Sequence, residues 1–214
     1  MVIQIIKNIN LENTTVKSFV DNDSVIGQSR KERIVQTDKN TIWVADQEFG
    51  LHKFDLAKNL RWLFTTENGL ISNNLFSMNK DDKNNIWITT DRGVQMIDGI
   101  NQKITTFTVA EGLAANDVYD VIEKDGKIYL GTSKGLTILQ PENDSNKPFW
   151  KAKTIGKYQG LDYIDFSQNS ISFDKNGLLW AGVEGQMLTV MNIEAEDTTY
   201  VPPRITSISV FDKP

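Results

Sequence analysis

The side chains that could carry out chemistry are few in this sequence, and they stand apart from one another. The chain has one histidine, His52, and no cysteine, which excludes thiolate catalysis, disulfides and cysteine-bound metal ions. His52 has no second histidine or acidic pair at the spacing of a catalytic or metal-binding motif. We therefore interpret it as an ordinary residue of a surface strand. No catalytic residue, metal site or cofactor is predicted.

One acidic run superficially resembles a calcium loop. It covers residues 81–85 and contains only Asp, Lys and Asn. The run lacks the glycine and the terminal glutamate that a calcium loop requires, whereas Asp and Asn are residues that favour tight turns. We therefore interpret it as a hairpin turn.

Three aromatic residues are the candidates for ligand binding. Trp150, Tyr158 and Tyr163 lie outside the repeated positions defined below, in a long interval that also contains an insertion over residues 141–148. Aromatic faces pack on the apolar C–H surface of sugars, and segments that interrupt a repeat often carry binding. These three residues are the predicted ligand-binding residues. The alternative is that they only cover the neighbouring structural unit.

Composition and charge exclude several classes of function. The net charge is -5 and the basic residues are scattered, whereas nucleic-acid binding needs a concentrated basic face. No apolar run approaches the roughly 20 residues of a membrane-spanning helix, so this segment is not expected to insert into a membrane. The chain has 22 Ile and 14 Val against 8 Ala, which favours strands because β-branched side chains suit a pleated sheet.

A repeat of four units organises the chain. Each unit contains a strand with a central aromatic residue, and these aromatic residues are 44, 42 and 51 residues apart. A second marker, a polar residue followed by Gly-Leu, recurs at 68–70, 111–113 and 159–161. A glycine after each aromatic strand marks a tight turn. The predicted structural anchors are Trp43, Trp87, Tyr129 and Trp180, with Gly50, Gly93, Gly135 and Gly185.

The period of the repeat is that of a β-propeller blade, which has four antiparallel strands. In the third unit we predict strands over 117–123, 127–132 and 135–139, then the 141–148 insertion and a last edge strand. The aromatic anchors are predicted to be buried between neighbouring blades. The chain is thus predicted to be all-β, a partial propeller of about four to five blades.

Both ends of the chain depart from the repeat. Residues 1–22 match the second half of a blade, residues 23–201 contain the four repeats, and residues 202–214 contain one alternating strand with no repeat marker. An open arc would expose two apolar sheet faces, so we predict self-association. The alternative is a strained five-bladed ring, in which the strand over 205–211 joins the N-terminal half-blade.

The marker and the aromatic strand together resemble the two-component regulator propeller repeat. The resemblance lies in segments 66–74 and 86–94, and again in segments 111–118 and 128–136. Residues 202–205 resemble the first strand of the immunoglobulin-like domain, named for its three tyrosines, that follows such propellers. On this resemblance, residues 202–214 begin that domain.

The resemblance implies a periplasmic sensor region of a hybrid two-component histidine kinase from Bacteroidetes. It implies oligosaccharides from polysaccharide breakdown as ligands, and other propeller blades and the immunoglobulin-like domain of the same protein as partners. The intact protein would be a kinase, but no kinase function can be assigned to these residues. Two alternatives stay open: a protein-interaction scaffold, and a propeller enzyme of the streptogramin-lyase type, which needs a histidine base and a bound divalent metal.

Overall fold

The structure is a computed structural model that describes residues 3–7, 15–19, 30–144, 147–161, 164–184 and 187–191. Two single-turn 3-10 helices, Val109–Glu111 and Lys157–Gln159, are the helices in these ranges. The strands are β1 (Ile3–Lys7), β2 (Thr15–Phe19), β3 (Lys31–Gln36), β4 (Thr41–Asp46), β5 (Gly50–Asp55), β6 (Leu60–Phe64), β7 (Leu75–Lys80), β8 (Ile86–Thr90), β9 (Gly93–Ile97), β10 (Ile104–Phe107), β11 (Val118–Lys124), β12 (Lys127–Thr132), β13 (Gly135–Asp144), β14 (Lys147–Ile155), β15 (Phe166–Phe173), β16 (Leu179–Val183) and β17 (Met187–Met191).

The strands form antiparallel sheets in chain order, as the propeller prediction requires. Blade 1 is β3–β6, blade 2 is β7–β10 and blade 3 is β11–β14, each with four strands. Blade 4 has three described strands, β15–β17, and β1 pairs with β2 in a separate hairpin. The predicted all-β fold is confirmed. The division of the chain at residues 22 and 201 stays a prediction, and the strand predicted over 205–211 lies outside the described residues.

The predicted turn at residues 81–85 is confirmed, because the Asp81 carboxylate organises it. Asp81 Oδ1 accepts the backbone N–H of Lys83 at 3.0 Å and of Asn85 at 2.8 Å. Its other oxygen accepts the indole N–H of Trp87 at 3.0 Å. Asp174 accepts backbone N–H groups and the Trp180 indole in the same way. In blades 2 and 4 the acidic residue therefore ties the turn to the aromatic strand that follows it.

The interface between two neighbouring blades, called a seam here, contains the apolar core. The three described seams are separate clusters that include Trp43, Trp87 and Tyr129 respectively. Strands near the middle of a blade are covered on both faces, as in β8, where every residue is buried. This pattern explains why these strands are rich in apolar residues instead of alternating with polar ones.

Three of the predicted anchors are buried in seams as expected: Trp43, Trp87 and Tyr129 are 3%, 0% and 5% exposed. Trp180 differs, since it is 36% exposed. The repeat places it on the face of blade 4 that points away from blade 3, where no seam is formed within the described residues. Gly50, Gly93 and Gly135 have φ of 93°, 134° and 121°, as tight turns require. Gly185 lies outside the described residues.

The Gly-Leu marker closes the connection between successive blades. In the second copy, Glu111 accepts the backbone N–H of Thr108 at 2.7 Å, as in a capping box. Leu113 is buried in the seam. Asn68 and Gln159 accept the equivalent N–H groups in the other two copies, of Thr65 and Gly156.

The insertion in the third unit is not a loop, and that part of the strand prediction was wrong. β13 continues to Asp144 and pairs with β14 from Leu136, opposite Ile155, up to Asp144, opposite Lys147. β12 pairs with β13 only as far as Leu139, so the end of the hairpin extends beyond the rest of the blade. A hairpin can continue past its neighbouring strand because the partner strand pairs the backbone groups of every second residue and water can satisfy the others.

The prediction that His52 is a surface residue was also wrong. It lies in a strand, β5, but it is 0% exposed. Its Nε2 atom is 4.0 Å from Asp46 Oδ2, and its ring stacks on Phe54. The reason is its place in the blade: its repeat equivalents, Gln95 and Thr137, are buried as well. Each of these two accepts a backbone N–H from the preceding blade connection, at 2.9 Å.

The turn at Gly93 provides a test of the fold. A Cβ at this position would lie 2.4 Å from the carbonyl oxygen of Phe107, and φ is +134°. We expect Gly93→Ala to lower the free energy of unfolding by roughly 2 kcal/mol, through strain and steric conflict. Gly126→Ala is the matched control, because its φ is +73° but a Cβ there meets nothing within 4 Å. Urea denaturation should show the larger loss for Gly93→Ala; equal losses would contradict the proposed close contact.

Candidate functional site

One end of the propeller carries both the turns between second and third strands and the connections between blades. Consecutive strands run antiparallel in every blade. The β4–β5 turn, the β6–β7 connection and the β8–β9 turn therefore lie at the same end of blades 1 and 2. These are the segments that surround the cavity described below.

This cavity, called the rim cavity here, lies between blades 1 and 2 and has a volume of about 670 Å³. Such a volume is in the range of small-ligand sites. All of its lining residues have polar or charged side chains, unlike those of most pockets for drug-like ligands. The lining residues are Gln47, Glu48, Thr66, Ser72, Asn73, Asn74 and Arg92.

Side-chain hydrogen bonds hold the β6–β7 connection that forms one wall of the cavity. Asn73 Oδ1 accepts the backbone N–H of Thr66 at 2.8 Å, and Ser72 Oγ accepts that of Asn74 at 3.0 Å. From blade 2, Gln95 accepts the N–H of Ile71 at 2.9 Å and donates to the Gly69 carbonyl at 3.1 Å. The wall is thus set before any ligand binds, which lowers the entropic cost of binding.

The opposite wall is formed by two turns with charged side chains. In blade 1 the turn between Asp46 and Gly50 is one residue longer than the turn between Thr90 and Gly93 in blade 2. The longer turn places Gln47 and Glu48 beside the cavity, and the shorter one contributes Arg92. Asp46 fixes the longer turn by accepting the backbone N–H of Glu48 at 3.0 Å. The cavity therefore offers a carboxylate, a guanidinium, amides and hydroxyls.

The structure does not bring the predicted aromatic residues together. The Trp150 ring packs edge-on against Trp87 at 5.0 Å, in the seam between blades 2 and 3. Trp150 lies near the start of β14, whereas Tyr158 follows the end of that strand and is fully exposed. Tyr163 lies outside the described residues. Their ligand role stays a prediction, but Trp150 also has the structural contact that the alternative interpretation required.

Sequence reasoning missed the residues of the rim cavity. Gln47, Glu48 and Arg92 lie in turns whose sequences follow the repeat, so nothing in their type distinguished them. The usable signal was the extra residue in the blade 1 turn, because a change of length in a repeated turn alters the local surface. Within the described residues, no cluster of three or more potential metal ligands occurs.

Comparison with known proteins identifies similar folds. No protein-family model and no curated protein matches the chain. Two solved structures of the extracellular domain of BT4673 from B. thetaiotaomicron match it; one describes that protein as a one-component system and the other as a hybrid two-component system. The first has a TM-score of 0.64 at 16% identity, over 81% of this chain and 25% of that one. The second has a TM-score of 0.57 at 19% identity, over 81% and 22%.

A computationally designed protein, Ika4, also matches, with a TM-score of 0.53 at 11% identity over 77% of this chain and 91% of its own. At these identities the likeness concerns the fold. The chain spans only a quarter or less of the BT4673 structures. It therefore has a β-propeller fold like that found in the extracellular domain of BT4673.

Proposed function

We propose that this chain is a ligand-sensing and signal-relaying propeller module from the extracytoplasmic part of a hybrid two-component sensor. We propose further that its ligand is an oligosaccharide from polysaccharide breakdown, bound in the rim cavity. The periplasm, the immunoglobulin-like domain at residues 202–214 and the kinase of the intact protein belong to this proposal. The fold likeness to BT4673 supports the class of protein, and the repeat resemblance supports it independently.

The polar lining of the rim cavity is the observation that carries the proposed ligand class. Sugars present many hydroxyl groups, and each hydroxyl both donates and accepts hydrogen bonds. The cavity offers matching groups of both kinds, including the charged Glu48 and Arg92 side chains. Hydrogen bonds to charged groups are the stronger ones. An apolar ligand would leave these polar and charged groups without hydrogen-bond partners.

The burial of His52 argues against the lyase alternative. An enzyme of that type needs its histidine base within reach of a substrate, and His52, the only histidine in the chain, is 0% exposed.

None of the helices among the described residues has the length and hydropathy needed to cross a membrane.

Binding should depend on Arg92. We expect a panel of neutral and acidic oligosaccharides, titrated into the ¹⁵N-labelled chain, to include members that shift the amide signals around the rim cavity. Arg92→Ala should weaken that binding by about tenfold or more, since a hydrogen bond to a charged group contributes roughly 1.5–3 kcal/mol. Product analysis should show no turnover.

Lys134→Ala is the matched control, because Lys134 occupies the position of Arg92 in blade 3 and does not line the cavity. It should leave the affinity unchanged. Shifts that are centred on Trp150 and Tyr158, and that persist in Arg92→Ala, would place binding at the aromatic residues. A panel without any shifts would contradict the proposed ligand class.

A further inference from the structure

The turn that carries Glu48 beside the rim cavity is built differently from the equivalent turns of blades 2 and 3. In blade 2 the hydroxyl oxygen of Thr90 accepts the backbone N–H of Arg92 at 2.9 Å, and the hydroxyl donates to the Gly93 carbonyl, also at 2.9 Å. Thr132 makes the same two bonds in blade 3. One threonine hydroxyl therefore closes each of these short turns, because it is both a donor and an acceptor.

Asp46 takes the place of these threonines in blade 1. It lies opposite Gly50 in the strand pair, as Thr90 lies opposite the glycine of blade 2. Asp46 Oδ1 accepts the backbone N–H of Glu48 and that of Phe49, both at 3.0 Å. A carboxylate oxygen can accept two N–H groups, so it holds a turn that is one residue longer. This carboxylate fixes the backbone from which the Glu48 side chain extends.

The same arrangement places a carboxylate in the interior of the blade. Asp46 is 0% exposed, and removing a carboxylate from water has a large cost in free energy unless hydrogen bonds and neighbouring groups offset it. The two N–H groups of the turn offset part of this cost. His52, also 0% exposed, lies with its Nε2 atom 4.0 Å from Asp46 Oδ2. A threonine closes a turn without burying a carboxylate, so the presence of Asp46 indicates that the longer turn itself has a use.

The longer turn places one charged side chain beside the cavity. Glu48 is exposed and lines the rim cavity, and Arg92 lines it from the shorter turn of blade 2. Among the described residues neither side chain takes part in an ion pair. The Glu48 carboxylate can only accept hydrogen bonds, and the Arg92 guanidinium can only donate them. A sugar satisfies both, because its hydroxyl groups can donate to the carboxylate and accept from the guanidinium.

The charge around the cavity favours a ligand without negative charge. The two turns and the connection that surround it contain three acidic side chains and one basic side chain, which gives a net charge of -2. These residues are Glu48, Glu67, Asp91 and Arg92. A carboxylate on the ligand would lie in this negative potential. Beside Glu48 it would also meet a second group that only accepts hydrogen bonds, which is a means of excluding a wrong ligand.

We propose that Glu48 determines the specificity of the rim cavity, that the buried Asp46 carboxylate positions it, and that the cavity binds neutral sugars in preference to acidic ones. This proposal rests on the proposed function, because it takes sugars to be the ligands of the cavity. Glu48 accepts hydrogen bonds from the hydroxyl groups of a neutral sugar and repels the carboxylate of an acidic one. Asp46 acts only through Glu48 and is a positioning residue.

Matched pairs of ligands test the specificity. Each acidic oligosaccharide of the panel, with trigalacturonic acid among them, is compared with its methyl ester, which has the same sugar rings and no charge. In calorimetric titrations at low ionic strength, where charges are screened least, the ester should bind about tenfold more tightly than the acid, because like charges repel. Glu48→Gln keeps the size of the side chain and its ability to accept hydrogen bonds but removes the charge. It should make the two affinities nearly equal.

Amide hydrogen exchange tests the positioning by Asp46 and needs no ligand. In Asp46→Ala, the amides of Glu48 and Phe49 should exchange about tenfold faster, because each loses its acceptor. This variant should also reduce the preference for the ester. Asp46→Asn keeps one acceptor oxygen and should retain both the slow exchange and the preference. Asp46→Thr, which supplies the residue type of blades 2 and 3, replaces Asp46→Ala in the test if that variant does not fold.

Asp55→Ala is the matched control for Asp46→Ala. Asp55 Oδ1 accepts the backbone N–H groups of Ala57 and Lys58, at 3.0 and 3.1 Å, in the turn at the opposite end of blade 1. The substitution should speed the exchange of these two amides and leave both affinities unchanged.

Faster exchange in the Asp46→Ala turn, together with a preference for the ester that Glu48→Gln removes, supports the proposal. Equal affinities for ester and acid in the unsubstituted chain, or a preference that survives Glu48→Gln, would overturn it and leave the sugar site intact. Unchanged exchange of the Glu48 and Phe49 amides in Asp46→Ala would overturn the role of Asp46. If no member of the panel binds, the proposed function is contradicted, and the proposed specificity with it.

Discussion

Trp87→Ala is expected to lower the free energy of unfolding by about 3–5 kcal/mol, the range for removing a large aromatic side chain from a core. Trp87 is 0% exposed and lies between Phe107, at 5.5 Å, and Trp150, at 5.0 Å. Its indole N–H also donates to Asp81, which organises the preceding turn. The substitution therefore removes apolar contacts from two blades and a hydrogen bond. Urea denaturation followed by circular dichroism measures the loss.

Trp180→Ala is the matched control for this prediction. Trp180 has the same place in the repeat and the same hydrogen bond to an acidic turn residue, but it is 36% exposed within the described structure. We expect it to cost roughly 1 kcal/mol, because less apolar area returns to water. An unchanged unfolding midpoint for Trp87→Ala would contradict the register of the blades. A loss at Trp180 as large as that at Trp87 would show that Trp180 is buried as fully as Trp87.

Asp120→Ala is expected to cost about 3 kcal/mol, because it leaves several buried polar groups without partners. Asp120 is 1% exposed and accepts the backbone N–H groups of Val121 and Ile171, both at 2.8 Å, as well as the Ser77 hydroxyl. These contacts join blades 2, 3 and 4 at the axis. Asp82→Ala is the control, since Asp82 is an exposed carboxylate in a turn, and it should change stability by less than about 0.5 kcal/mol. Equal effects of the two substitutions would show that the axis contacts contribute little.

The pH dependence of stability should report on the same carboxylate. Burial raises the pKa of Asp120 above its ordinary value of 3.8, although the hydrogen bonds and Arg33 oppose this shift. A raised pKa means that the folded state holds the proton more tightly than the unfolded state. As the pH rises from the ordinary value to the raised one, the unfolded chain ionises first and the fold loses stability. Asp120→Asn should lack this loss; an identical pH profile in both proteins would contradict the shift.

Much of the fold followed from short-range patterns. The spacing of Trp43, Trp87 and Tyr129 predicted blades, and the structure confirmed both the sheets and the burial of these residues. Such patterns can be recognised in the sequence because each blade packs against its neighbours in the same way, so the same residue types recur at the same positions. The turn at Asp81 was predictable for a similar reason, since its hydrogen bonds join residues close in sequence.

Other properties depend on which segments meet in space. The sequence predicts His52 at the surface, because no residue near it in the chain indicates that its side of blade 1 is covered; in the structure His52 is buried. The sequence predicts Trp150 as a ligand-binding residue, whereas in the structure its ring packs against Trp87, because β14 lies beside the seam between blades 2 and 3.

The sequence by itself determined the class of fold, the number of repeats and three of the four aromatic anchors, Trp43, Trp87 and Tyr129, because these depend on local periodicity and on residue size. Only the tertiary structure decided the curvature of the ring and the position of the rim cavity. Curvature depends on contacts such as Ser77 with Asn169, which are 92 residues apart in the chain. The cavity depends on how the turns of two blades face each other, and that relation has no signature in either turn alone.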